Sequence, residues 1–405
     1  MQNTVLALGV MIVAGLLGSI VLRRVGLPSV TAYILVGILI GPSVGRLIPA
    51  EVIGDLDSVT SIALGVVAYL IGGSLRLETL KGMGRTVAWV TLLQSVGAWI
   101  LVTITFSLAV HHLIPGNSFW EFSFPMAFIV GAISSATAPA ATMAIVRELR
   151  ARGPLTTTLL AVVALDDAVA VVAYSLAVGV ALALAVPGAT ITASSILIEP
   201  VRHIGMSVAL GAVLAPVVIL ACQRVHRREV RLAFVFGAVL LCAGIALALG
   251  LSLIMANMVL GFIAVNVVRA TEEPSVLGDM ETVLYTLFFV LAGLHFDLAV
   301  LGTAGVLALI VVLSRCSGKY AGTVIGSMLA RAPDTIRRYL GFALLPKAGV
   351  TVGLALLAAA RFPAFGDIML NAVLASTIIN EVVGPPATHY AIVKSGEAYP
   401  PQPKG

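Results

Sequence analysis

Two adjacent carboxylates, Asp166 and Asp167, interrupt the apolar run Ala164-Leu165-Asp166-Asp167-Ala168-Val169-Ala170, about twelve residues into a stretch with no other charge. An ionised aspartate at the centre of a bilayer costs about 2.5–3.5 kcal/mol, and two neighbours also repel each other, so a purely structural role is an expensive choice. Successive helical residues point about 100° apart. The pair can therefore meet different partners, one a fixed cation and the other water. The cation candidate is Lys319, within Arg315-Cys316-Ser317-Gly318-Lys319-Tyr320-Ala321-Gly322, deep in a second apolar run; the plainer alternative is a lysine that snorkels to the nearer end of its helix. Desolvation penalises a charged carboxylate and a nearby ammonium offsets that penalty. Such a group is neutralised either by a proton or, through its oxygens, by a hard cation. Mutually exclusive binding combined with alternating access is the physical definition of exchange.

The elements that must position these groups follow from composition. Of 405 residues, 60% are hydrophobic and 11% charged, against about 45–50% and about 25% in soluble domains. A soluble globular domain is excluded. Spans of about 20 apolar residues fit at 4–22, 28–48, 58–75, 86–110, 122–146, 155–186, 203–222, 232–249, 251–268, 278–298, 301–330, 337–360 and 367–392. These unbroken runs are helical, because barrel strands alternate apolar and polar residues. The expectation is an all-α polytopic membrane protein of 13 transmembrane helices, a single transporter unit over 1–405.

The net charge of +5 does not mark a nucleic-acid partner, because its distribution is topological. Eighteen of the 24 Lys and Arg residues, among them Arg23, Arg24, Arg76, Arg147, Arg150, Arg152, Arg228, Arg269 and Lys404, fall on one side of the bilayer. Three (Arg46, Arg202, Arg361) fall on the other, and Arg315, Lys319 and Lys347 lie inside spans. The positive-inside rule then puts the N-terminus outside and the C-terminus in the cytoplasm, as expected of a multi-pass protein of the inner membrane. No basic segment precedes the first span, so a cleaved signal peptide is not expected. Cys222, Cys242 and Cys316 have no metal-ligand spacing. The polar, proline-rich tail over 394–405 is expected to be loose.

Odd features recur at an offset of seven spans. Span 3 ends in Gly73-Ser74-Leu75-Arg76-Leu77-Glu78 and span 10 in Ala292-Gly293-Leu294-His295-Phe296-Asp297; span 5 holds Pro139 and span 12 holds Pro346; span 6 carries Asp166-Asp167 and span 13 carries Asn380-Glu381. Seven is odd, which implies inverted repeats of spans 1–6 (1–202) and 8–13 (231–393) joined by a linker helix at 203–230. The matched prolines, flanked by Ser134-Ser135-Ala136-Thr137 and by Lys347-Ala348-Gly349, predict crossed, broken helices in spans 5 and 12. Unwound backbone at membrane depth needs protein or a water-filled cavity beside it. Lys347 is expected to compensate the dipole ends where the span-12 halves meet. Arg315, one turn before Lys319, is open between a pair with Glu381 and a vestibule. Asn257 in span 9 is open between an accessory role and an interhelical hydrogen bond.

These residues resemble the cation/proton antiporter superfamily, in particular bacterial electrogenic Na+/H+ antiporters of the two-aspartate type. Pro28-Ser29-Val30-Thr31-Ala32-Tyr33-Ile34-Leu35-Val36-Gly37-Ile38-Leu39-Ile40-Gly41-Pro42 is similar to the family's second-span signature, and Phe288-Phe289-Val290-Leu291-Ala292-Gly293-Leu294 to its tenth. The paired aspartates and Gly318-Lys319-x-x-Gly322 match the electrogenic branch. The resemblance implies a homodimer in which a core domain (spans 3–6 and 10–13) moves against a dimerisation domain (spans 1, 2 and 7–9). It implies Asp167 as the essential ion-binding carboxylate, with Asp166 as the partner that releases Lys319 when sodium binds. Thr137, with Ser135 in the same break, would help to line the site, and the transported Na+ would sit on Asp167 and Asp166. More than one proton per cation is implied. Three departures stand out: Ala138 where some relatives place Asp, Lys347 where Arg or Gln is frequent, and Glu381, a candidate third titrating group.

The implied function is secondary active export of Na+ (and Li+) against H+, with small cations and lipid as partners and no cofactor. K+/H+ exchange or gated K+ efflux uses the same architecture and is the alternative. An intramembrane aspartyl protease is a remote third reading. Its carboxylates must face each other across a shared water, which neighbours on one helix do poorly, and the chain has no Gly-x-Gly-Asp.

Overall fold

The computed structural model describes residues 3–24, 27–49, 52–53, 56–75, 77–185, 199–225, 227–267, 277, 280–295, 298–347 and 350–399. Arg76, Arg269, Phe296, Asp297, Ala348, Gly349 and the tail over 400–405, on which parts of the topology, repeat and tail expectations rest, lie outside them. Among the described residues there is no strand. The helices are α1 (Thr4–Arg23), α2 (Ser29–Ile40), α3 (Asp57–Ser74), α4 (Leu77–Leu113), α5 (Phe124–Ile133), α6 (Pro139–Glu148), α7 (Pro154–Ala185), α8 (Glu199–Arg224), α9 (Arg228–Ala248), α10 (Leu253–Val267), α11 (Glu281–Leu294), α12 (Leu298–Ala330), α13 (Asp334–Ala343), α14 (Val350–Arg361) and α15 (Gly366–Lys394). Seven of them are long and apolar enough to cross a bilayer, and shorter apolar helices accompany them. The protein is an all-helical, multi-pass membrane protein.

Local sequence sets the ends. α2 stops at Ile40, short of the expected residue 48, because Gly41 precedes Pro42 and takes an extended conformation (φ −76°, ψ 176°), as a residue before proline tends to. In span 5, where a break was expected at the proline, α5 ends at Ile133 and α6 opens at Pro139. A proline is well placed there, since the first turn of a helix needs no N–H from it. Span 12 is interrupted likewise: α13 ends at Ala343, and Leu345, Pro346 and Lys347 are non-helical.

The chain packs as two units. The first comprises Met1–Met83, Pro139–Glu148 and His203–Phe296. Inside it α3 lies directly on α10: a Cβ at Gly72 would overlap the Met258 carbonyl, and one at Gly261 the Tyr69 carbonyl. α11 meets α2 the same way, through Gly293 against Ile34 and Gly37 against Val290. Spans 3 and 10, expected in the ion-binding core, thus pack with spans 1, 2 and 7–9. Backbone-to-backbone contact through glycine outweighs the symmetry of the repeat in fixing where they belong.

The second unit comprises Gly84–Ala138, Leu149–Arg202 and Asp297–Gly405. Gly318, Gly322 and Gly326 form a stripe along α12, and Cβ atoms there would overlap Gly97, Leu93 and Trp89 of α4. The stripe brings the two backbones together and, between its glycines, delivers Lys319 to the face of α4 that carries Gln94. One apolar cluster joins α4, α5, α7, α12, α14 and α15, with Phe106, Met126, Ile133, Phe362 and Met369 at its centre. Away from these contacts α12 exposes Leu309, Leu313, Ile325 and Met328, a surface suited to lipid.

The tail departs from expectation. Glu397 is buried, Arg152 N–H donates to its carbonyl (3.1 Å), and Tyr399 N–H donates to the Leu149 carbonyl (3.0 Å). Residues 395–399 are docked rather than loose, because they satisfy polar groups that the start of α7 would otherwise leave bare.

Gly322→Val should lower the thermal stability of purified protein by about 1–3 kcal/mol or more, through forced separation of α12 from α4. Gly237, with nothing within 4 Å of a Cβ, is the control. Gly237→Ala should leave the melting temperature unchanged or raised.

Candidate ion-binding site

The second unit assembles Gln94 and Ser95 from α4, Thr137 from the break after α5, Asp166 and Asp167 from α7, and Arg315 and Lys319 from α12. All are buried. Lys319 Nζ lies 3.2 Å from Asp166 Oδ2 and 2.8 Å from Thr137 Oγ1, and donates also to Gln94 Oε1. Asp166 Oδ1 accepts from Gln94 Nε2 and, at 3.2 Å, from Ser95 Oγ; Oδ2 accepts from the Thr137 hydroxyl as well as from Lys319. An ammonium has three donors and a carboxylate about four acceptor positions. Both sets are filled. Asp166 and Lys319 form a closed network with no polar capacity left over.

Asp167 is the opposite case. It is 4% exposed, and neither carboxylate oxygen has a hydrogen-bond partner among the described residues. The rotation of about 100° from Asp166 takes it off the lysine's face. The same backbone that satisfies one aspartate fully thus leaves its neighbour with nothing.

Arg315 holds the surrounding scaffold. Its Nε donates to the Ser134 carbonyl (2.9 Å), Nη1 to Leu345 (2.7 Å), and Nη2 to Ala136 (2.8 Å) and Pro346 (3.3 Å). Nη1 also reaches Asn380 Oδ1 at 3.4 Å. The two breaks are joined directly as well, by Ala138 N–H to the Pro346 carbonyl (2.9 Å). α5 and α13 both end here, so their terminal carbonyls concentrate partial negative charge. One planar guanidinium with five donors answers it in a way a lysine's point charge does not.

A family model for sodium/hydrogen exchangers, transmembrane, matches residues 9–389. The chain belongs to the sodium/hydrogen exchanger family. It is a transporter, a member of the cation/proton antiporter superfamily, and not an enzyme. Among solved structures it is similar to the sodium proton antiporter MjNhaP1 from Methanocaldococcus jannaschii at pH 8, with TM-score 0.70 and 18% identity over 96% of this chain and 98% of that one. An electron-microscopy structure of the same antiporter gives TM-score 0.77 and 18% identity over 98% and 99%. At this identity the likeness is one of fold. No curated protein sequence matches the chain significantly.

In this exchanger several residues singled out by sequence take other places. Lys347 is buried, and its Nζ donates to Ser376 Oγ at 3.0 Å; the dipole compensation expected of it is done by Arg315, which does not pair with Glu381. Ser135 Oγ donates to the Ala132 carbonyl (2.7 Å) and so closes the end of α5 instead of reaching the aspartates. Glu381 is buried, with Oε2 unpartnered among the described residues. Asn257 belongs to the first unit. Its amide donates to the Leu253 carbonyl of its own helix (3.0 Å), so the interhelical bond expected of it is replaced by one within α10. Pro139 opens α6 and Pro346 lends its carbonyl to Arg315 and Ala138.

Sequence reasoning missed Gln94 and Ser95. The only signal was an amide beside a hydroxyl in the middle of an apolar span, Thr91-Leu92-Leu93-Gln94-Ser95-Val96. Gln94, like Thr137, is a neutral residue that serves both charges, accepting from Lys319 and donating to Asp166.

Arg315→Ala leaves the Ser134, Ala136 and Leu345 carbonyls without their donor, while Pro346 keeps the Ala138 N–H, at about 1–3 kcal/mol for each buried group left unsatisfied. It should lower the melting temperature of detergent-solubilised protein by more than any single surface substitution. Arg315→Lys should recover less than half of that loss; full recovery would mean that charge alone, without the fork, suffices.

Proposed function

We propose that the protein is a secondary active antiporter that exports Na+, and Li+, in exchange for H+, electrogenically, with cation and proton competing for Asp167 and Asp166. The observation that carries this reading is the unpartnered, buried carboxylate of Asp167 beside the closed Asp166–Lys319 network. A charge at that depth must be neutralised. A proton does so by forming the acid, and Na+ does so by taking its oxygens together with those of Asp166 and the Thr137 hydroxyl. The cation then displaces Lys319 from Asp166, and the lysine keeps Gln94 Oε1 as acceptor. A displaced ammonium without a charged partner gives up its proton. One Na+ therefore exchanges for two protons, the one on Asp167 and the one on Lys319, and a net charge crosses per cycle.

The same proposal includes 13 spans with inverted repeats over spans 1–6 and 8–13, supported by interruptions at 134–138 and 344–347 in spans seven apart. The ion-binding unit comprises spans 4, 6 and 11–13 with the first half of span 5. The charge asymmetry supports an inner-membrane protein with its N-terminus outside and its C-terminus in the cytoplasm. A homodimer and the absence of any cofactor follow from the resemblance.

Asp167→Asn should abolish Na+-evoked dequenching of a pH-sensitive dye in everted vesicles, and Asp166→Asn should impair it strongly. Response to K+ in place of Na+ and Li+ would redirect the assignment to K+/H+ exchange. In proteoliposomes an imposed membrane potential should change the rate of Na+ exchange. Because each Na+ displaces two protons, the Na+ concentration for half-maximal rate should fall as pH rises, by about a hundredfold per unit where both groups start protonated. Exchange indifferent to potential would contradict electrogenicity.

A further inference from the structure

One buried carboxylate lies beyond the last helix and outside the ion site. Glu397 is 7% exposed. Its Oε1 accepts from Leu155 N–H (2.7 Å), and its Oε2 accepts from Thr156 N–H (2.7 Å) and the Thr156 hydroxyl (2.7 Å). These are first-turn groups of α7, which a helix cannot satisfy from within. Most helices use the side chain just before the first turn for this purpose. Here that position holds Gly153, which has no side chain. It sits at φ +155°, and a Cβ added to it would overlap the Glu397 carboxylate. The local cap is absent and the space it would fill is occupied by a cap from about 240 residues away.

Two further bonds flank the contact, Arg152 N–H to the Glu397 carbonyl and Tyr399 N–H to the Leu149 carbonyl. Residues 395–399 therefore form a strap that starts at the end of α15, the helix whose Asn380 accepts from Arg315, and ends on the helix that carries Asp166 and Asp167. Those aspartates lie about ten residues, or about 15 Å, along α7 from Thr156. A helix transmits displacement of its end along its axis. A negative carboxylate at the N-terminus also favours that position through the helix dipole.

We propose that Glu397 is a positioning residue for ion exchange: by capping α7 through the strap it fixes the axial register of the helix and so the placement of Asp166 and Asp167, without touching the ion. This rests on the antiport reading for the role of the two aspartates, and the strap itself can be read out separately.

The test uses the full chain with Glu397→Ala, Glu397→Gln, Gly153→Ala and the Gly153→Ala/Glu397→Ala double variant. Amide hydrogen exchange measured by mass spectrometry reads the strap; Na+ dependence of proton flux in proteoliposomes reads its consequence. In Glu397→Ala and in Gly153→Ala, exchange should quicken from Leu155 through Asp167. The Na+ concentration for half-maximal rate should rise about fivefold at unchanged maximal rate. Glu397→Gln, which keeps one acceptor oxygen, should restore most of both, and the double variant should be no worse than either single one. Faster exchange confined to Leu155 and Thr156, with the centre of α7 and the Na+ dependence unchanged, would reduce Glu397 to a local cap and overturn the proposal. Should the unaltered protein carry no Na+-driven proton flux, the antiport reading fails, while protection at the centre of α7 still decides the strap: unaltered protection there in Glu397→Ala overturns it.

Discussion

A charge in a membrane interior has to be answered, and in this exchanger the answer is complete for one aspartate and absent for its neighbour. Lys319, Thr137, Gln94 and Ser95 use up the bonding capacity of Asp166. Asp167, one residue on, has no such partner among the described residues. Much of the second unit can be read as support for that difference. The glycine stripe of α12 lets its backbone approach α4 closely enough for Lys319 to reach Gln94. Arg315 ties the two helix breaks together, and one of those breaks supplies Thr137. Loosening either support would spoil the network before it touched Asp167.

Besides Glu397 at the start of α7, six charged side chains are buried in this unit among the described residues: Asp166, Asp167, Glu381, Arg315, Lys319 and Lys347. Three acids face three bases in number, yet among the described residues one ion pair joins them, Asp166 with Lys319. Arg315 is held by carbonyl dipoles and Lys347 by a serine hydroxyl. An interior that paired every charge would be inert to ions, because each carboxylate would already be satisfied. Leaving an acid unmatched is what makes the interior responsive to a cation or a proton.

Part of this was legible in the sequence because it rests on local facts. Asp166-Asp167 and Lys319 stand out against apolar neighbours, and Pro139 and Pro346 mark helix interruptions through their missing N–H. Family membership was legible too, from the glycine- and proline-bearing signatures of spans 2 and 10. What escaped depends on distant partners. Gln94 carries no charge, so in an apolar span it reads as one more packed side chain until Lys319, 225 residues later, is brought beside it. Arg315 looked like a candidate for an acid because an arginine suggests one; its true partners are backbone carbonyls, which no sequence position advertises. Lys347 was given Arg315's task because it directly follows the proline at the span-12 break. The docking of Glu397 on α7 was hidden by a polar, proline-rich composition that argues for a loose tail, and by the silence of a glycine at the cap position. The placement of spans 3 and 10 was misjudged because repeat symmetry says which helices correspond, not which backbones touch.

The central claim is that cation and protons exclude each other at the carboxylates beside Lys319. It is tested most directly by adding Na+ to the purified protein in weakly buffered solution and counting the protons released for each Na+ bound. The account predicts release that approaches two protons per Na+ when the site starts protonated, and none from Asp167→Asn. Na+ binding that releases no proton, or release that persists undiminished in Asp167→Asn, would contradict it.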